Sequence, residues 1–330
     1  MFTACVTSQD NSVHSPETYA ASITAEELKE HLYTYASDEF EGRETGTSGE
    51  IKAINYLKAQ YEALEIQGGM PNGDYFMPMS LNSYRDDKTI EATNVLAYIE
   101  GSEKPNELLV ITAHLDHIGV EDDGQINNGA DDDGSGTVAL LELAEAFQMA
   151  VKAGVRPKRS ILFLHVTGEE KGLLGSKYYT DNPVYPLENT VANLNIDMIG
   201  RIDDLHEDNP NYLYLIGSDI LSQDLHDVSV AMNDAYVNLE LDYRYNDPTT
   251  EVFERGRYRE NRYYYRSDHY NFAKNEVPVI FYFNGTHEDY HAPTDTVEKI
   301  EYALMEKRTR LIFHTAWEIV HRDERLRLKD

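Results

Sequence analysis

Five short stretches of this sequence carry acids and histidines just behind apolar runs: His114-Leu115-Asp116, Asp131-Asp132-Asp133, Glu169-Glu170, Asp197 and His291. Carboxylates and imidazoles are the donors that a borderline cation such as zinc accepts, and a pair of metals needs roughly this many donors plus room for water. The set points to a metallohydrolase. Cys5 is the only cysteine, which leaves no intramolecular disulfide and no cysteine-rich metal site, so a metal must rest on His, Asp and Glu. Taken singly, each stretch has a plainer explanation: a hydrogen-bonded surface pair, a turn with a helix cap, solvated charge. Their joint placement decides between the two.

Apolar runs at 92–99, 108–112, 160–166, 191–196, 212–216 and 277–283 read as strands, several of them near-continuous Val, Ile, Leu and Phe, as expected for a sheet covered on both faces. Thr24 and Glu27 form a capping box that opens a helix through Leu28, Leu32 and Tyr35, and a second helix spans 49–64. These two make an N-terminal helical arm. Between them the turn-rich Glu41-Gly42-Arg43-Glu44-Thr45-Gly46 reads as an ordinary loop. Helical patterns also follow Gly136, through Val138, Leu141, Glu145 and Phe147, and run through Leu304, Leu311, Ile312 and Ile319. The alternation predicts an α/β fold, a three-layer sandwich with a mixed, mostly parallel central sheet flanked by helices.

In such folds ligands bind outside the carboxyl ends of the strands. His114 follows the run 108–112, Glu169 and Glu170 follow 160–166, Asp197 follows 191–196, and His291 lies beyond 277–283. Asp132 sits between Gly129 and Gly134, ahead of a helix whose N-terminus favours negative charge. All five stretches therefore meet at one sheet edge. The other histidines, such as His206, His226, His314 and His321, read as surface or capping residues.

Thr112-Ala113-His114-Leu115-Asp116, Gly129-Ala130-Asp131-Asp132-Asp133-Gly134-Ser135-Gly136, Gly168-Glu169-Glu170, Asn195-Ile196-Asp197-Met198, Ser267-Asp268-His269 and Tyr290-His291-Ala292-Pro293-Thr294-Asp295-Thr296 resemble, in order, the motifs of peptidase family M28, the zinc aminopeptidases. The resemblance covers nearly all of the chain from Ile23 onward and implies the zinc aminopeptidase/phosphorylase-like form of the sandwich. It implies that Asp132 bridges two Zn2+ ions, that Glu170 and His291 complete one ion's protein ligands, and that His114 and Asp197 complete the other's. Glu169 resembles the general base, which takes a proton from water held between the metals. Asp116 resembles the partner that orients the His114 imidazole. Asp268 is expected to line the substrate site. Tyr264 and Tyr290 both resemble tyrosines that donate to the oxyanion, and the sequence, with 24 tyrosines, does not choose between them.

The resemblance implies a dizinc aminopeptidase that acts on peptides with a free N-terminus. Carboxypeptidase action rests on the same chemistry; a glutaminyl cyclase-like acyltransferase and a noncatalytic binding domain are further alternatives on this fold, each disfavoured by a donor set that lacks no member. Cobalt or manganese could fill the same positions. The segment 242–266 carries Arg255, Arg257, Arg259, Arg262 and Arg266 among tyrosines and acids. It reads as a loop over the site, either pairing an arginine with a substrate carboxylate or carrying only solvated charge.

A chain of 330 residues, 41% hydrophobic, can bury one large core, so residues 23–330 read as a single peptidase domain that includes the helical arm. The formal net charge of −30 disfavours nucleic acid and anionic membrane surfaces as partners. No stretch reads as a transmembrane helix. Met1-Phe2-Thr3-Ala4-Cys5 is similar to the end of a bacterial lipoprotein signal, which would put the protein in the periplasm, on the cell surface or outside the cell; a stray cysteine leaves the cytoplasm open. Residues 1–22 then form a flexible tail, with lipidated Cys5 as tether in the first case.

Overall fold

The computed structural model describes residues 15–82, 89–254 and 257–329. Its elements run α1 (Pro16–Ala20), α2 (Ala25–Tyr35), α3 (Ser48–Ala63), β1 (Gln67–Gly68), β2 (Phe76–Asn82), β3 (Thr89–Ile99), β4 (Lys104–His114), β5 (Gly119–Val120) and β6 (Ile126–Asn127). Next come α4 (Gly136–Lys152), β7 (Arg159–Val166), α5 (Leu174–Asp181), β8 (Thr190–Ile196), β9 (Tyr212–Ile216), α6 (Gln223–Met232) and β10 (Glu240–Asp242). The chain closes with β11 (Glu251–Glu254), β12 (Arg257–Glu260), α7 (His269–Ala273), β13 (Val279–Phe283) and α8 (Tyr302–His321).

Among the described residues one sheet runs β1-β3-β7-β4-β8-β13-β9-β10, with β2 also paired to β3. Its centre, β7-β4-β8-β13, is parallel throughout, whereas β3-β7 and β13-β9 are antiparallel. Parallel pairing, expected for most of the sheet, holds for the four strands that end at the candidate site and for β9-β10, while the remaining pairs are antiparallel. Parallel order brings the carboxyl ends of those strands to one edge.

Strand residues alternate between two cores, as a period of two requires. On β4, Leu109 and Ile111 pack toward the face covered by α2, α4 and α8, where Leu32, Phe147 and Ile312 are fully buried. Leu108 and Val110 point to the other face, against Tyr179 of α5 and Phe272 of α7. Each such side chain removed from water contributes roughly 1.5–3 kcal/mol. Half of the capping box at the start of α2 is formed, with the Glu27 amide donating to Thr24 Oγ1 at 3.2 Å while the Glu27 carboxylate accepts from the Thr24 hydroxyl at 2.7 Å.

Two expectations need correction here. The flexible tail expected over residues 1–22 does not extend through 15–22, where α1 buries Tyr19 and Ala20, with Tyr19 stacked on Trp317 at 5.4 Å. Two apolar anchors suffice to dock this otherwise polar stretch. Residues 1–14, and with them Cys5, lie outside the described residues. Second, His206 and His314 are buried rather than at the surface: His206 Nδ1 lies 2.8 Å from Asp203, and His314 stacks on Tyr236. Among the described residues no helix is long and apolar enough to cross a membrane.

Candidate metal centre

The strand ends deliver their acids and histidines to one point. His114 Nε2 lies 3.1 Å from Asp132 Oδ1 and 3.6 Å from Asp197 Oδ1. The second oxygen of Asp132, Oδ2, lies 3.0 Å from His291 Nε2 and 3.9 Å from His117 Nδ1. Glu170 Oε1 lies 3.0 Å from His117 Nδ1 and 3.2 Å from His291 Nε2. One carboxylate, Asp132, therefore turns one oxygen toward each of two donor groups. His114, Asp132 and Asp197 form one group compact enough for an ion, and His117, Asp132 and Glu170 form another.

His117 is absent from the sequence-derived set. The signal was present, because the motif is His114-Leu115-Asp116-His117, but a search for His-x-Asp stops one residue short.

The loop 130–135 shows why the middle aspartate is the one that faces the site. Asp131 accepts from the Gly200 amide, Ser135 Oγ and Asn284 Nδ2, and Asp133 accepts from the amides of His114, Gly136 and Met198. Both flanking carboxylates are consumed in holding the loop. Asp295 Oδ2 takes the amides of Asp131 and Asp132 at 3.0 and 3.2 Å. Beyond β7 the backbone turns at Gly168, with φ +67°, and this departure from strand geometry lets Glu169 and Glu170 both turn toward the same centre.

Further braces refine the expected roles. His114 Nδ1 lies 3.0 Å from the backbone carbonyl of Asp116, an acceptor only, so Nδ1 carries the proton and Nε2 keeps its lone pair for the site. The Asp116 carboxylate, expected to do this, stands 3.8 Å away and instead accepts from Thr45 Oγ1 and the Glu169 amide. Asp116 thus fixes the Glu169 backbone. Ser267 Oγ donates to Asp197 Oδ2 at 2.6 Å. The stretch 41–46, read as an ordinary loop, is a frame for the site: the fully buried Arg43 guanidinium donates to the carbonyls of Tyr35, Leu115, Asn128 and Gly129.

A cleft of about 380 Å³ reaches Asp132, Glu169 and Asp197 and is walled by Phe281, Phe283, Tyr263, Tyr290 and Arg266, among others. Tyr290 stacks on His291 at 3.9 Å. Tyr264 does not line this cleft; it packs edge-on against Tyr265, His269 and Tyr270. Asp268 is also absent from the lining: it is fully buried, takes a hydrogen bond from Ser176 and leaves Oδ2 unpartnered among the described residues. Of the segment 242–266, β11 and β12 form a hairpin, Arg257 is exposed, and Arg259, Arg262 and Arg266 border an adjoining hollow. Arg266 reaches the main cleft as well, its guanidinium 5.1 Å from the Tyr263 ring. Arg255 lies outside the described residues.

Electrostatics make the centre a trap for cations. Burial and the charges of Glu170, Asp197 and Asp268 push the Glu169 carboxyl well above the usual carboxylate range, although His114 opposes this. Burial pushes Asp268 up to about 7. Burial alone would lower His291, but Asp132 and Glu170 outweigh it and push the imidazole up to about 10. The buried atoms His114 Nε2, His117 Nδ1 and Glu170 Oε1 have no hydrogen-bond partner among the described residues. Buried polar atoms are rarely left so, and an imidazole–carboxylate donor set of this kind fits zinc.

The profile of peptidase family M28 matches residues 94–316. A probable zinc metalloprotease of Pyrenophora teres f. teres is 38% identical over 116 residues, 34% of this chain and 22% of that protein. The matches to this and three other curated relatives span only 20–25% of those proteins' lengths. The LapA aminopeptidase structure of Legionella pneumophila superimposes with TM-score 0.68 at 19% identity, over 98% of this chain and 79% of that one. A glutaminyl cyclase of Bacteroides thetaiotaomicron, bound to N-acetylhistamine, gives TM-score 0.68 at 17% identity, over 92% of this chain and 99% of that one. At these identities the structural likeness is one of fold.

Proposed function

The chain belongs to peptidase family M28, and we propose that it is a dizinc aminopeptidase, removing N-terminal residues from peptides with Glu169 as general base. The observation that carries the reading is Asp132, whose two oxygens face two separate imidazole–carboxylate groups beside the cleft that Glu169 lines. On this reading His114, Asp132 and Asp197 hold one ion, and Asp132, Glu170 and His291 hold the other. Zinc held there would supply two activations, lowering the pKa of bound water toward about 7 and polarising the scissile carbonyl.

The chain's own groups do the rest. Glu169, raised by burial and its acidic neighbours, takes the proton of the attacking water and passes it to the leaving amine, a role worth on the order of 10²–10⁴ in rate. The Asp116 carboxylate holds the Glu169 amide and so fixes where that carboxyl sits. Tyr290 is the better-placed oxyanion donor of the two candidate tyrosines, because it lines the cleft and because burial and the nearby carboxylates raise its pKa and keep the phenol protonated. The carboxylates around the cleft favour a cationic α-amino group, which sets the direction of attack from the N-terminus. Phe281 and Phe283 offer apolar surface to a substrate side chain.

The test is zinc-dependent hydrolysis of a panel of peptides with free and acetylated N-termini, with an N-terminal glutamine substrate included. Cleavage confined to free N-termini supports the reading. Cleavage of blocked peptides from the C-terminus, or cyclisation of glutamine without hydrolysis, would replace it with a carboxypeptidase or a glutaminyl cyclase.

A further inference from the structure

We propose that His117 is itself a metal ligand, joining Asp132, Glu170 and His291 around the ion on the Glu170 side. The inference rests on the two-metal reading above and deepens it, since it makes the two ions unequal. The Glu170 side is closed by four protein donors, and the His114 side has three with a position left open.

His117 is 1% exposed, and neither of its ring nitrogens has a hydrogen-bond partner among the described residues. Leaving a buried polar group without a partner is unfavourable, so the arrangement holds only if something else meets the imidazole. Nδ1 lies 3.0 Å from Glu170 Oε1 and still makes no hydrogen bond with it. A ring nitrogen and a carboxylate oxygen this close but out of hydrogen-bond alignment are placed like donors to a common cation.

The separations agree with that. Tetrahedral zinc with bonds of about 2.0–2.1 Å sets its donors roughly 3.3 Å apart. His117 Nδ1 to Glu170 Oε1 is 3.0 Å and to Asp132 Oδ2 is 3.9 Å, while His291 Nε2 lies 3.0 Å from Asp132 Oδ2 and 3.2 Å from Glu170 Oε1. The four values straddle the expected edge.

The backbone around the ring is arranged to admit it. A Cβ at position 129 would stand 2.5 Å from His117 Cδ2, so Gly129, at φ +55°, leaves the space the imidazole occupies. The bridge between Glu44 and His117 fixes the chain as it leaves Asp116. His114, by contrast, already commits Nδ1 to the Asp116 carbonyl and has one nitrogen to offer.

The consequence is a division of labour. A four-donor zinc site is the closed kind that anchors structure, and a three-donor site is the open kind that admits water or substrate. The substrate carbonyl and the N-terminal amine then compete for room on the His114 side.

The experiment is diffraction from crystals of the zinc-loaded protein, with anomalous maps on both sides of the zinc edge. The expected result is zinc at both groups with His117 Nδ1 at about 2.0–2.1 Å. Zinc at both groups with His117 Nδ1 beyond about 3 Å overturns the proposal alone; zinc at neither group overturns the two-metal reading and this proposal with it. In solution, chelator competition on His117→Gln should show the second zinc weakened by more than the ~10–100-fold that a residue merely orienting a ligand produces. A smaller loss, with an unchanged metal-free melting curve, contradicts ligation.

Discussion

On the His114 side of the centre the donors are tied before any cation arrives. The His114 imidazole is held through Nδ1 by the Asp116 carbonyl, its backbone by Asp133 and Thr137, and Asp197 by the Ser267 hydroxyl. The Glu170 side is held differently: Glu170 Oε1 and both His117 nitrogens lack partners among the described residues, and His291 is 37% exposed at a loop position with φ +56°. The difference teaches that protein hydrogen bonds orient one group and, on the two-metal reading, leave the other to be gathered by its cation. Removing the metal should therefore disturb the Glu170 side and leave the His114 side near its present geometry.

Variants can break or sharpen this contrast. The largest effect is expected from Asp132→Ala, because that carboxylate belongs to both groups: zinc content by elemental analysis should fall toward none per chain, and peptide hydrolysis to background. Retention of one firmly held ion would show that the two sides do not depend on the shared residue. Next comes Ser267→Ala, which frees Asp197 on the braced side. A loss of about 10–100-fold in zinc affinity or kcat is expected, with recovery in Ser267→Thr, since partners that orient ligands carry effects of that size. An unchanged affinity would mean that this side is no more preorganised than the other. The smallest effect is expected from Arg266→Ala at the cleft wall. Its exposed guanidinium is screened by water, so preference for substrates with a carboxylate should drop only about fivefold, read as kcat/KM on matched acidic and neutral peptides. Equal selectivity before and after would leave Arg266 as solvated charge.

What the sequence revealed depended on how locally each feature is encoded. Strand β7 followed by Gly168, Glu169 and Glu170 is legible because burial, departure from the strand and the candidate site residues fall within a few neighbouring positions. The family resemblance singled out Asp132 within the triplet, and the structure shows why it alone faces the centre, since Asp131 and Asp133 are occupied by their partners in the loop. Arg43 was not legible, since its carbonyl partners Leu115, Asn128 and Gly129 lie 72, 85 and 86 residues away and no local pattern announces a buried guanidinium. His117 sits beside a recognised motif, but which way its ring turns depends on the path after Asp116 and on the space at Gly129. Tyr264 and Tyr290 each pack on near neighbours in sequence, yet only Tyr290 reaches a cleft whose other walls come from residues as distant as Asp132 and Glu169. Helix α1 was hidden by its polar composition, because only Tyr19 and Ala20 anchor it.

The central claim is that Glu169 moves a proton without holding a metal. Its direct test is Glu169→Gln, assayed for zinc content and for single-turnover hydrolysis of a free-N-terminal peptide. The account predicts zinc content equal to the parent protein's and a chemical step slowed by about 10²–10⁴ with little change in substrate affinity. A variant that keeps its zinc and cleaves at the parent rate, or one that loses zinc along with activity, would contradict it.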